Sequence, residues 1–315
     1  MPSTATAATP GLYEATRRSL EAVPKELPAV WLYDERGSQL YEEITHLPEY
    51  YLPRREAEIL GARSAFIAER TKARTLIELG SGSARNTRFL LNALHGPLER
   101  FVPFDVSERM LRASAQEIGS AYPTISVDPI AGDFERDLGE LPTGGPRVVA
   151  FLGSTIGNLY PEQRARFLSS LRSELGEDDL LLLGVDLVKG ADRLQAAYDD
   201  ESGVTEAFVR NALDAANREL NATFEQGLFA YEPRWDAAHE WMDIGLRASL
   251  AHAVSVRRLG LELAFDEGER LRVEVSSKFR RARFETELER AGFHVESWWT
   301  DDAGDFAVAL ARPSS

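Results

Sequence analysis

With 315 residues, 43% hydrophobic and 28% charged, the chain is long enough for one large globular domain or two modest ones. Its formal net charge of −15 argues against nucleic acid and anionic lipid, which need clustered Lys and Arg, and leaves small-molecule chemistry as the favoured class. The absence of cysteine excludes disulfides and thiolate metal sites, and with no long apolar run and no basic-then-apolar leader the expected setting is cytoplasmic.

In chain order, residues 1–10 are small, polar and proline-bearing and read as a loose terminus, followed by a short helix over 12–20. Residues 28–53 gather Trp31, Tyr33, Tyr41, Tyr50 and Tyr51 among glycines and prolines before any regular sheet begins, as either a small core or a pocket wall. A helix over 55–69 then leads into Thr75-Leu-Ile-Glu-Leu-Gly-Ser-Gly, an apolar strand running into a glycine turn. Strands follow over 101–106, 125–130, 148–152 and 180–185, separated by helices over 87–94, 108–118 and 161–174. This βαβα rhythm predicts an α/β, doubly wound parallel sheet, whose ligands bind at the carboxyl ends of the strands.

Beyond Asp186 the pattern changes. A helix over 205–220 has Thr205 as its expected N-cap, and 245–256, 261–265 and 271–276 read as antiparallel strands, the last two joined by Asp266-Glu-Gly. A helix over 284–291 and a hairpin through 295–300 and 306–310 close the chain. We therefore expect one domain of residues 55–194 plus 277–315, and a second, smaller α+β domain of residues 1–54 plus 195–276.

The chemistry is expected around the glycine turn. Gly80 and Gly82 let a backbone approach a ligand closely, and the following helix offers free N–H groups there. A dinucleotide fingerprint would need a third glycine where Arg85 stands, so that reading fails. Asp105, at the end of the second strand, can accept both hydroxyls of a ribose. Asp133 and Phe134, after the third, can meet an adenine amino group and its ring face. With Gly80 and Gly82 they resemble the nucleoside-methionine site of the S-adenosylmethionine-dependent methyltransferases. The five histidines, His46, His95, His239, His252 and His294, show no metal-ligand spacing, so no metal is expected.

A narrower resemblance runs over nearly the whole chain. Tyr33-Asp-Glu-Arg-Gly-Ser-Gln-Leu-Tyr-Glu-Glu-Ile-Thr, Leu47-Pro-Glu-Tyr-Tyr, Phe151-Leu-Gly-Ser-Thr-Ile-Gly-Asn, Tyr198-Asp-Asp and Glu274-Val-Ser-Ser-Lys-Phe resemble the L-histidine Nα-methyltransferases of the ergothioneine pathway. The resemblance implies a Rossmann-like class I methyltransferase sheet over 55–194 and 277–315, a substrate-binding domain in the remainder, S-adenosyl-L-methionine as cofactor, and three methyl transfers converting histidine to hercynine. It further implies that Tyr33, Gly80, Asn86, Asp105, Asp133, Phe134 and Gly153 contact the cofactor. Asn158 and Tyr198 would hold the amino acid end of the substrate, and Tyr50, Glu274 and Ser276 would face its imidazole. Independently, the two-residue period of a strand puts Arg272, Glu274 and Ser276 on one face, where a carboxylate and a hydroxyl could serve two imidazole nitrogens or could equally meet solvent.

Methyl transfer from a sulfonium needs no protein nucleophile; positioning alone can contribute about 7–11 kcal/mol. Asn158 is no base, so Tyr33, an ordered water or bulk solvent is left to take the amine proton. The family pattern has Lys where Asn86 stands and Met-Trp where Ile244-Gly245 stands, and smaller residues beside the imidazole could admit tryptophan or tyrosine. A catalytically silent cofactor-binding protein is the other alternative.

Overall fold

The computed structural model describes residues 10–314. Residues 1–9 of the expected loose terminus lie outside the described residues. The chain divides into two compact units, one containing the described residues up to Tyr50 together with Gly190–Ser276, the other Tyr51–Lys189 together with the segment from Ser277 onward.

The larger unit is built on an eight-stranded sheet. Its spatial order is Phe293–Thr300, Phe306–Pro313, Leu180–Asp186, Arg147–Phe151, Thr75–Leu79, Arg100–Asp105 and Ser126–Val127, with Ile130–Ala131 also pairing on Arg100–Asp105. All pairings are parallel except those of the closing hairpin and its junction with Leu180–Asp186. Every residue of Thr75–Leu79 and of Leu180–Asp186 is buried, as apolar strands covered on both faces must be. Ile77, Leu79, Phe104, Phe151, Leu181, Leu183, Phe167 and Phe284 join one continuous core. From Thr75–Leu79 the chain first moves outward to Arg100–Asp105, then returns to the opposite neighbour Arg147–Phe151. That reversal makes the carboxyl ends of these strands the crevice where doubly wound sheets take ligands.

The smaller unit has a five-stranded sheet. Lys25–Glu26 runs parallel to Arg270–Ser277, which neighbours Trp241–Ala248, and both Phe229–Tyr231 and Arg234–Asp236 pair antiparallel with Trp241–Ala248. Three sequence expectations are corrected here and one in the larger unit. The run over 245–256 is two strands, Trp241–Ala248 and His252–Val256, broken where Ser249 N–H turns away to Leu228 O at 2.8 Å. Leu261–Phe265 pairs with His252–Val256 and not with Arg270–Ser277, so Asp266-Glu-Gly is a corner between two sheets rather than a hairpin turn. Thr205 lies inside the helix Val204–Leu220, which is capped by Gly203. The carboxylate of Asp200 accepts from the free N–H groups of Val204 and Thr205 at 2.9 and 2.8 Å, the service a hydroxyl at position 205 was expected to give. In the larger unit the strand over 125–130 is split into Ser126–Val127 and Ile130–Ala131.

Among the described residues no helix is long and apolar enough to cross a membrane. Nor do three or more His, Cys, Asp or Glu side chains converge among them as a metal site would require.

Candidate functional site

The glycine turn is a built cradle. Gly80 and Gly82 hold φ values of +64° and +48°, a conformation glycine adopts without cost, and Ala84 follows at +50°, where a side chain makes it strained. The turn is pinned by backbone bonds from Gly80 and Ser81 N–H to Phe104 O at 2.8 and 3.2 Å. Its side-chain anchor is Asp105, which accepts from Gly82 N–H and from Ser107 N–H, each at 2.9 Å. Burial pushes the Asp105 carboxyl upward, while the N–H groups of Ser107, Gly82 and Val106 hold it down. A Cβ at Gly82 would meet nothing within 4 Å, so the turn opens onto space, and the buried Ser81 hydroxyl has no hydrogen-bond partner among the described residues. An open left-handed cradle, a carboxylate with lone pairs to spare and an orphan hydroxyl fit a polar nucleoside with an amino acid tail.

The other residues assigned to the cofactor are distributed less simply. Gly153 lies in the same unit just after the strand Arg147–Phe151, with φ at +69°, and Asn158 closes the short 3-10 turn Thr155–Asn158 that follows, half-buried. Asn86 sits at the N-cap of the helix Thr87–Leu94, but its amide N–H groups are committed to Pro53 O and Glu56 Oε2 at 3.0 and 2.8 Å, which leaves its carbonyl for any ligand. Asp133 accepts from Glu135 N–H at 2.9 Å and stands 3.6 Å from Arg136. Phe134 stacks edge-on against Phe151 and Phe167, with centroids at 5.0 and 5.7 Å, so it is part of the core as well as of the strand-end loop.

Tyr33, Tyr50, Tyr198, Glu274 and Ser276 come together in the smaller unit. In the strand Arg270–Ser277 the apolar Leu271, Val273 and Val275 are buried on one face, and Glu274 and Ser276 share the other. The Tyr33 hydroxyl lies 3.5 Å from Glu274 Oε1, and the Tyr198 and Ser276 hydroxyls share a bond of 2.8 Å. Tyr50 meets Tyr198 edge-on at 6.1 Å and Tyr41 at 6.5 Å, and Tyr41 and Phe208 close an aromatic wall on Tyr33 at 5.9 and 5.6 Å. Burial, reinforced by Tyr41 and Tyr198, raises the Tyr50 hydroxyl well above its ordinary pKa and keeps it a neutral donor. Tyr33 is set by its neighbour Asp34, which caps the helix Glu35–Ile44 through Gly37 N–H at 2.7 Å and also binds Asn211 and Arg218.

The expectation that Ile244-Gly245 widens a pocket meets a different geometry at Gly245. A Cβ there would stand 2.8 Å from Leu271 O and 3.1 Å from Arg270 Nη2, so the neighbouring strand itself fills the place of a side chain. Ile244 is buried beside it.

Sequence reasoning passed over Glu56, a buried acid in the helix Leu52–Thr71; Glu78, the acid of the Glu-x-Gly-x-Gly run, is buried as well. Glu78 receives the Thr87 hydroxyl, and its carboxyl is pushed up to about 8, first by burial and then by Glu56 and Asp105, against the Thr87 bond. Glu78 stands in an apolar strand, where a solvated residue is not expected, whereas Glu56 stands among Arg54, Arg55 and Glu58, so its burial has no local signal.

A model of the family described as histidine-specific, SAM-dependent methyltransferase matches residues 12–313. A histidine N-alpha-methyltransferase from Mycolicibacterium smegmatis is 49% identical over 309 residues, covering 98% of this chain and 96% of that protein. One of the same name from Mycobacterium tuberculosis is 50% identical over 294 residues, covering 93% and 92%. The ergothioneine biosynthesis protein 1 of Neurospora crassa is 31% identical over 303 residues, covering 92% of this chain and 34% of that longer protein.

Proposed function

Because the chain belongs to the histidine-specific, S-adenosylmethionine-dependent methyltransferases, we propose that it trimethylates the α-amino group of L-histidine to hercynine, a step of ergothioneine biosynthesis. The observation that carries the choice of substrate is the shared face of Glu274 and Ser276, a carboxylate and a hydroxyl set beside Tyr33 and Tyr198. An imidazole offers one N–H donor and one ring-nitrogen acceptor, and this pair can accept the first and donate to the second. The working setting is the cytoplasm, and the acidic surface suits a free amino acid rather than nucleic acid or membrane.

S-adenosylmethionine would supply an electrophilic methyl group. Asp105 would accept the ribose hydroxyls, the Gly80–Gly82 backbone would lie against the amino acid tail, and Asp133 and Phe134 would meet the base. Asn158 and Tyr198 would hold the substrate's amino acid end. One proton must leave the nitrogen before each of the three transfers, and Tyr33 is the hydroxyl assigned to that path. Each methyl removes one N–H donor, so affinity through the series has to come from the imidazole and carboxylate contacts and from aromatic faces around the growing cation. The product keeps no lone pair, and the sequence of transfers ends there.

Incubation with the methyl donor and an equimolar mixture of histidine, tryptophan and tyrosine, followed by mass spectrometry, tests the reading. Mono-, di- and trimethylhistidine are expected, and methylation confined to another amino acid overturns it. Glu274→Ala is expected to lower kcat/KM for histidine about tenfold or more, the worth of one charged hydrogen bond. Unchanged kinetics would remove Glu274 from the specificity site. Asn158→Ala is expected to slow all three methylations by more than about tenfold, again the worth of a lost polar contact; full turnover in that variant would reassign the amine end.

A further inference from the structure

We propose that Glu56 is a positioning residue of the cofactor site, its two carboxylate oxygens tying the loop that begins at Gly153 to the start of the helix after the glycine turn. The inference rests on the reading of the larger unit as the cofactor-binding one. Glu56 lies in the first turns of the helix Leu52–Thr71 and is 2% exposed. Its Oε1 accepts from Gly153 N–H at 2.7 Å and its Oε2 from Asn86 Nδ2 at 2.8 Å. The space it occupies is reserved in the sheet: a Cβ on Gly184, within the all-buried strand Leu180–Asp186, would fall 2.1 Å from Oε1. A glycine in mid-strand weakens it unless something approaches closely, and here the carboxylate does.

Two donors converge on one carboxylate, so the ionised form serves both, while a proton on either oxygen would face an N–H. Burial pushes this carboxyl up to about 7, against the bonds from Asn86 and Gly153 that hold it down. The titratable neighbour is Glu78 of the strand Thr75–Leu79, whose own carboxyl Glu56 pushes up; the contacts of Glu56 with Asn86, Gly153 and Gly184 bring no charge. The Gly153 loop also carries Asn158, and the helix start also faces the cradle, so one side chain sets two walls of the site.

Glutamine has nearly the shape of protonated Glu56 and, like it, is neutral and carries a donor where the carboxylate carries only acceptors. The dissociation constant of S-adenosylhomocysteine, measured by titration calorimetry, is therefore expected to be about tenfold higher in Glu56→Gln than in the wild type at pH 8 and nearly equal at pH 6. Equal binding at both pH values, or the same ratio at both, overturns the proposal, the second outcome being that of a merely structural residue. Gly184→Ala leaves the carboxylate in place but crowds it. If Glu56→Gln does not fold, that variant is expected to weaken binding about tenfold at pH 8, and wild-type affinity in it overturns the proposal. A wild-type protein that binds no S-adenosylhomocysteine at either pH ends the cofactor reading of the unit, and this inference with it.

Discussion

Asp105→Ala is expected to weaken the binding of S-adenosylhomocysteine by at least about a hundredfold. The carboxylate stands at the end of a central strand, its two oxygens bonded one each by the N–H groups of Ser107 and Gly82, with Val106 N–H also on the carboxylate. A pair of vicinal hydroxyls can meet the same carboxylate, one on each oxygen. Charged hydrogen bonds contribute about 1.5–3 kcal/mol each, so two of them amount to roughly 3–6 kcal/mol and a factor on the order of 10²–10⁴ in affinity. A second loss adds to the first. Without Asp105 the Gly82 N–H loses its acceptor, and a turn held at positive φ has one anchor fewer. Asp105→Asn, which keeps one acceptor oxygen, is expected to fall between alanine and the wild type. Titration calorimetry decides the matter, and an alanine variant that binds within about threefold of the wild type would remove Asp105 from the site.

The parts of this molecule that could be read from sequence are those whose physics is local. Thr75-Leu-Ile-Glu-Leu followed by two glycines reads as strand and turn because apolar runs and left-handed turns are specified by the residues that form them. The face shared by Glu274 and Ser276 was likewise legible, since a strand's period is a property of its backbone. Partnership across long separations was not. Nothing near Glu56 announces Gly153, 97 residues on, and nothing near Tyr33 announces Glu274, 241 residues on. The same limit explains the misread corner at Asp266-Glu-Gly. The turn is real, with Glu269 N–H on Asp266 O at 3.0 Å, yet the strands on either side find their partners in different sheets. Thr205 failed as a cap for a related reason. A good capping residue was present, but Asp200 takes the N–H groups of Val204 and Thr205 with a full charge, so the helix begins ahead of Thr205 and leaves it inside.

Asp186 shows what long-range pairing does for stability, and Asp186→Ala is expected to be the most destabilising single change in the larger unit. Its carboxylate, fully buried, accepts from the Tyr51 hydroxyl at 3.0 and 2.9 Å, from Lys278 at 2.9 Å and from Lys189. Tyr51, Lys189 and Lys278 stand close in sequence to the three points where the chain enters or leaves this unit, so one anion gathers all three. Removing it leaves two buried ammonium groups facing each other, and breaking a buried pair in this way costs about 3–5 kcal/mol. At about 2–4 °C per kcal/mol, the melting transition should fall by roughly 10 °C in scanning calorimetry at neutral pH. The pH dependence gives a second reading. Burial already lowers the pKa of Lys189, with Asp186 pulling it back up. A lysine whose folded pKa lies below its unfolded value disfavours folding while it is charged, and that penalty fades as pH rises through the folded value toward the unfolded one. Without Asp186 the penalty grows, so the deficit of the variant should shrink between neutral pH and about pH 9.5, still below the reference lysine value. Asp186→Ala combined with Lys278→Met should lose less than the single change, because one stranded charge leaves with its partner. A single variant melting within about 2 °C of the wild type, or a deficit that widens with pH, would show that this cluster is not what holds the three segments together.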